Sequence, residues 1–324
     1  MVKVQDIGEQ GLLKRLQAFC PPEIIGDDGA VVEVRNNQSL VVTTDVLVDG
    51  VHFSDHTTTP EDVGWRAVTA NLSDLAAMGA TPLGITVGLS LLEQTKVDWV
   101  EKLYQGISNC LARYNAAILG GDICRSKVIT ISITAFGQVS PHQVIHRHTA
   151  KPGDVILVTG YHGGSKAGLE LLLNPELGDR LTEAQKKQLI AFHQRPLPRL
   201  DVLPYLQFPL AGMDSSDGLA DAVIQICRCS KVGAKIDSSL ITFPQDLLKL
   251  VSPQKALNWA LYGGEDFELV LCLPRIKAEE LLENLGSEAA IIGKIASEPK
   301  VKLVDSTQAY PPQILTMTEG FQHF

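Results

Sequence analysis

Short β-branched runs and helix-like segments alternate along this chain without a fixed rhythm, and that irregularity limits the possible folds. Residues 31–34, 40–46, 83–92, 117–119 and 128–139 read as strands, and 60–78 and 97–114 as helices. The first helix carries its own start signals: Thr59 as N-cap, Pro60 at the first position, Glu61 and Asp62 in the first turn, and Gly79 past the end. Further on, strands are expected at 155–159, 269–273, 290–295 and 301–304, and helices at 165–173, 183–193, 217–229 and 278–285. A doubly wound parallel sheet needs regular alternation, so a two-layer α+β architecture fits better. The polar stretch HRHTAKPGD ends in a Pro-Gly turn and marks a boundary near residue 150, giving domains of 1–150 and 151–324.

Composition narrows the functions. Lys plus Arg number 28 against 37 for Asp plus Glu, a net charge of −9. Nucleic-acid binders draw their affinity from cationic contacts to phosphate, so that class is set aside. No apolar run approaches the roughly 20 residues needed to span a bilayer, and MVKVQDIGEQGLL lacks the basic-then-apolar order of a signal peptide. A cytoplasmic protein without membrane or nucleic-acid partners is expected. The cysteines Cys20, Cys110, Cys124, Cys227, Cys229 and Cys272 form no CxxC pair, so reduced thiols are expected and no zinc site.

The negative charge is not spread evenly. Acidic motifs recur where an apolar strand or a Gly turn ends: GDDG at 26–29, TTD at 43–45, NLSD at 71–74, GGD at 120–122, DSSD at 214–217 and GGED at 263–266. Loops at the ends of rigid elements are where sites are built. Asp74 stands out, because the helix around it is mostly small and apolar and no Lys or Arg lies one turn C-terminal to pair with it. Thr43 and Asp45 project to one side of their strand and Thr44 to the other. Taken alone, GMDSSDGLAD is a helix start, with Ser216 and Asp217 at the first turn. GYHGGSK resembles a phosphate loop but ends Gly-Ser-Lys where that motif requires Gly-Lys-Ser/Thr, so it is a strand-to-helix turn. Many carboxylates without a phosphate loop suit a polyphosphate held through Mg2+, which prefers oxygen ligands shared between carboxylates and phosphates.

Eight motifs together carry a specific likeness. GDDGAVV, VVTTDVLVDGVHF, NLSDLAAMGATPLG, GGD, TGYHGGSKAG, MDSSDGLADA, YGGEDFEL and the terminal GFQHF, in order from about residue 6 to 323, resemble the thiamine-monophosphate kinase family. That family falls within the aminoimidazole ribonucleotide synthetase-like superfamily. The resemblance implies a two-domain α+β fold. Its N-terminal domain binds ATP and Mg2+ and forms the interface of a homodimer, and its C-terminal domain completes the active site. It implies that ATP, as co-substrate, phosphorylates thiamine phosphate to thiamine diphosphate by direct in-line transfer. Asp28, Thr43, Thr44, Asp45, Asp74, Asp122, Asp214 and Asp217 would hold several Mg2+ ions. Tyr104, Gly121, Asp122, Arg147 and Ser216 would contact ATP, while His52, Glu265 and Phe321 would line the thiamine phosphate site. Ile123 and Ser215 depart from the family pattern, which commonly has Thr and an apolar residue there. No residue is assigned as a general base: the attacking phosphate oxygen is already ionised, and metal assistance carries the reaction.

Two alternatives remain open. One is another ATP-using enzyme of the superfamily, although the Gly-rich segment with a reactive Cys or selenocysteine that selenophosphate synthetases carry does not appear before GDDG, and the chain ends in Phe324 where the hydrogenase maturation factor ends in Cys. The other is a non-catalytic protein that binds Mg-nucleotide or thiamine phosphate.

Overall fold

The computed structural model describes residues 2–21, 32–308 and 311–317. The chain divides into two compact α+β units, Met1–Leu75 with Ala80–Pro141, and Ala76–Gly79 with His142–Phe324.

The first unit opens with α1 (Val4–Leu16), bent at Gly8 where φ is 66°. It continues through β1 (Ser39–Val48), α2 (Pro60–Ala77), β2 (Thr81–Leu91), α3 (Val97–Ala112), β3 (Ala117–Arg125) and β4 (Thr130–Val139). The start of α2 is built as its sequence indicates: Thr59 Oγ1 accepts from the Asp62 amide at 3.3 Å and donates to the Asp62 carboxylate at 2.6 Å. The sheet order is β1-β4-β2-β3, with β4 antiparallel to both neighbours and β3 parallel to β2. Alternation along the strands makes one face apolar and buried, through Ile85, Val87, Leu89, Ile131, Ile133 and Ala135. The other face carries Leu40, Val42 and Val46 on edge strand β1, 50%, 53% and 46% exposed.

The second unit contains β5 (Val155–Val158), α4 (Gly164–Leu173), α5 (Glu183–Gln194), β6 (Ala211–Asp214), α6 (Leu219–Ser230) and β7 (Gly233–Asp237). After them come α7 (Leu247–Leu250), α8 (Pro253–Tyr262), β8 (Leu269–Leu273), α9 (Arg275–Leu285), β9 (Ala290–Ala296), β10 (Val301–Val304) and β11 (Gln313–Ile314). Its sheet runs β11-β10-β7-β9-β5-β8-β6. β5 and β8 are apolar throughout because both their faces are covered. Ile156, Val158, Val270 and Cys272 join a core with Leu219, Val223 and Ile226 of α6. Val155, Leu157, Leu271 and Leu273 join another with Ala278, Leu281 and Leu285 of α9. A third core gathers Ala167, Leu171, Leu189, Leu247 and Trp259 from α4, α5, α7 and α8.

Three sequence expectations change. GGD at 120–122 does not end a strand, because β3 runs through it to Arg125. Its glycines permit strand pairing: a Cβ on Gly121 would strike the carbonyl of Val87, its neighbour on β2. The helix expected from 217 begins at Leu219, with Gly218 as N-cap at φ 108°. Ser216 and Asp217 therefore lie in the preceding turn, closed by the Gly218 amide on the Ser215 carbonyl at 3.0 Å. Of the strand expected at 31–34, Val31 lies outside the described residues and 32–34 carry no strand. The α1, β6, β7, α7 and α8 elements had no counterpart in the sequence reading.

Candidate active site

In the first unit, β1 and α2 bring three of the expected residues together. Thr43 Oγ1 donates to the Asp74 carboxylate. Two residues on, the Asp45 amide donates to Asn71 Oδ1 at 3.2 Å, and Asn71 Nδ2 is anchored on the Ala67 carbonyl at 3.0 Å. The odd-numbered residues of β1 face α2, so Thr43 and Asp45 lie on the side of the sheet that carries Asp74. The carboxylate that looked costly inside an apolar helix is half-buried and held by a hydroxyl.

Thr44 lies on the opposite face, where its hydroxyl meets Thr134 Oγ1 at 2.8 Å. Cross-strand register places Thr44, Thr134 and Thr86 in one row, and Val46, Ser132, Gly88 and Asp122 in the next. Asp122 therefore shares the face of Thr44 and not that of Asp74. His52 follows β1 in a turn: its Nδ1 accepts from the Val48 amide at 3.0 Å, which places the proton of the neutral ring on Nε2. Its carbonyl accepts from Arg66 at 2.9 Å. Tyr104 is buried in α3 with its ring 5.8 Å from that of Phe19, and burial raises its hydroxyl above the usual phenol range. Asp28 lies outside the described residues.

In the second unit, β6 delivers Asp214 into the 215–218 turn. Asp214 is almost fully buried and accepts from Ser216 Oγ at 3.1 Å. The turn is tied to the segment before β8 at two points, Ser215 N to Glu268 O at 2.8 Å and Glu265 N to Ser216 O at 2.7 Å. Glu265 Oε2 lies 3.7 Å from His193 Nδ1. Arg147 is exposed and donates to Gln225 at 2.8 Å. Phe321 lies outside the described residues.

Several participants were not legible in the sequence. Ser215 Oγ meets His162 Nε2 at 3.1 Å, and both side chains are fully buried. Burial lowers His162 to about 4, so the ring stays neutral. Sealed from solvent, the pair satisfies a buried hydroxyl and is no nucleophile. Thr159 Oγ1 and Arg199 Nη1 donate to Glu268 at 2.5 and 2.7 Å. The loop that resembles a phosphate site binds an internal carboxyl group instead: the amides of Gly163 and Ser165 donate to the Asp266 side-chain oxygens at 2.6 and 2.8 Å. Desolvation raises Asp266 to about 7 against the pull of these amides. Glu265 and Phe267, on either side, adopt left-handed backbone at φ 66° and 54°. That conformation costs a residue with a side chain about 1 kcal/mol or more.

The donors are carboxylate, hydroxyl and carbonyl oxygens, the chemistry a hard divalent cation prefers. Among the described residues no group of three His, Cys, Asp or Glu forms a ready-made metal cluster. No helix among the described residues is long and apolar enough to cross a membrane.

Residues 26–139 match the AIR synthase related protein N-terminal domain and residues 151–306 the C-terminal domain. A thiamine-monophosphate kinase of Synechococcus elongatus is 49% identical over 99% of this chain and 98% of its own length. The crystal structure of a thiamine-monophosphate kinase from Stenotrophomonas maltophilia aligns with a TM-score of 0.81 at 34% identity, covering 90% of this chain and 95% of its own. A structure described as AaThiL complexed with AMPPCP and TMP aligns with a TM-score of 0.75 at 30% identity, covering 97% and 99%.

Proposed function

Since the chain belongs to the thiamine-monophosphate kinase family of AIR synthase related proteins, we propose that it transfers the terminal phosphoryl group of ATP to thiamine phosphate, releasing thiamine diphosphate and ADP. The observation that carries this reading is the local gathering of oxygen donors at family motifs, Thr43 with Asp45 and Asp74 in one unit and Asp214 with Ser216 in the other.

The attacking atom is a phosphate oxygen of thiamine phosphate, ionised near neutral pH, so no strong base is needed. The barrier is the approach of two anions. Thr43, Asp45, Asp74, Asp214 and Asp217 would hold Mg2+, with Asp28, Thr44 and Asp122 as further ligands. Bound with the nucleotide, Mg2+ would neutralise charge on the phosphates as they meet in line. Gly121, Asp122, Arg147 and Ser216 would position ATP, with the largely buried Tyr104 as a further nucleotide neighbour. His52, Glu265 and Phe321 would line the thiamine phosphate site, His52 offering the Nε2 proton as a donor to phosphate.

We assign the working form as a cytoplasmic homodimer. The apolar stripe on the exposed face of edge strand β1 supports association of the first units.

The test is direct measurement of thiamine diphosphate from purified protein, ATP, Mg2+ and thiamine phosphate. Product formation is expected. Binding of both ligands without product would make this a binding protein, and binding of neither would overturn the kinase reading.

A further inference from the structure

The 263–268 segment sends consecutive residues in different directions. The Glu265 amide holds the Ser216 carbonyl, and its carboxylate reaches toward His193. Asp266 turns to the start of α4, Phe267 is buried at 4% exposure, and Glu268 takes Thr159 and Arg199. Such a path requires the two left-handed residues, Glu265 and Phe267, with Asp266 between them. Strained backbone of this kind persists only where surrounding contacts over-determine it.

The strongest of those contacts belong to Asp266. Helix α4 is preceded by Gly163, a left-handed N-cap with no side chain to satisfy the first amides. The Asp266 side chain, a hundred residues further along, supplies what the cap lacks through two short hydrogen bonds. One carboxylate thus closes a helix terminus and pins the backbone between two unfavourable residues.

We infer that Asp266 is a positioning residue for Glu265: by capping α4 it fixes the left-handed backbone on both sides of itself, and so holds the Glu265 amide on the Ser216 carbonyl and aims its carboxylate at His193. The inference rests on the proposed function for one element only, the role of Glu265 toward thiamine phosphate.

The test is a double-mutant cycle of Asp266→Asn and Glu265→Gln, with KM measured separately for thiamine phosphate and ATP. Acting through Glu265, D266N raises KM for thiamine phosphate about ten-fold, equivalent to about 1.4 kcal/mol. It changes KM for ATP less than about two-fold and adds little in the E265Q background. An equal effect of D266N in both backgrounds, or equal losses toward both substrates, overturns the inference.

A second readout needs no activity. The His193 ring signals in 1H–13C NMR spectra shift in D266N as they do in E265Q, and D266N shifts them no further in the double variant. The Ser165 amide signal also shifts in D266N, because its acceptor changes from a carboxyl to an amide oxygen. Unchanged His193 signals in D266N overturn the positioning role whatever the kinetics show. If E265Q leaves KM for thiamine phosphate untouched while the NMR pattern holds, the role of Glu265 fails and the positioning by Asp266 stands. Should D266N not fold, Asp266→Ser, which keeps a neutral capping oxygen, is the variant to measure.

Discussion

Gly120 and Gly121 are adjacent on one strand, yet Ala substitution should affect them in opposite directions. The register of β2 and β3 slips between Ile85 and Thr86, leaving Thr86 opposite Gly120 and Val87 opposite Gly121. A Cβ on Gly121 would overlap the Val87 carbonyl oxygen and lie 3.1 Å from the carbonyl carbon. Relieving that overlap requires β3 to move from β2 by about 1 Å, and overpacking of this kind costs about 1–3 kcal/mol. A Cβ on Gly120 would meet nothing within 4 Å. Ala there reduces the freedom of the unfolded chain and stabilises by about 0.4–1 kcal/mol. Urea unfolding separates the two, followed by fluorescence of Trp65 and Trp99, which both lie in the first unit, in a Trp259→Phe background. G121A should lower stability by about 1–3 kcal/mol, with G120A at or above the parent. Equal midpoints for the two variants would refute close strand approach as the reason for the second glycine.

Three further outcomes can be checked. Asp45→Asn keeps the backbone bond to Asn71, so stability should stay within about 0.5 kcal/mol while turnover falls about a hundred-fold, or about 2.7 kcal/mol of barrier; full activity would remove Asp45 from metal binding. His162 titrates near 4 when folded against its ordinary 6.5. The unfolded chain therefore binds a proton through that window that the folded chain does not, and stability falls as pH drops from 6.5 to 4, by on the order of 3 kcal/mol at the lower end. His162→Gln should remove that contribution, so parallel stability-versus-pH curves for parent and variant would refute it. Val42→Lys with Val46→Lys should convert the protein from dimer to monomer in sedimentation velocity, and a parent that already sediments as a monomer would overturn the association.

What the sequence disclosed follows from how each signal arises. The start of α2 was legible because capping is local: Thr59, Pro60 and Asp62 act within one turn. The pairing of Thr43 and Asp45 on one side was legible from strand alternation, and the need of Asp74 for a partner from its apolar surroundings. That the partner is the Thr43 hydroxyl, 31 positions away, depends on tertiary placement that no local pattern encodes. The same holds for Asp122, whose face is set by a bulge invisible in the sequence. Ser216 and Asp217 misled because residues that favour a helix start also favour the turn before one, and Gly218 took the cap. Asp266 could not be assigned, because its partners lie a hundred residues upstream.

Thr43 and Thr44 are joined by a single peptide and face opposite sides of the sheet. A ligand that draws Thr43 toward Asp74 and a second copy that packs on Thr44 would act on the same short piece of backbone. Should both favour the same shifted position of β1, the two events are thermodynamically linked, and the factor by which association raises cation affinity equals the factor by which cation raises association. Dilution would then weaken metal binding, and chelation would weaken the dimer, through one peptide plane.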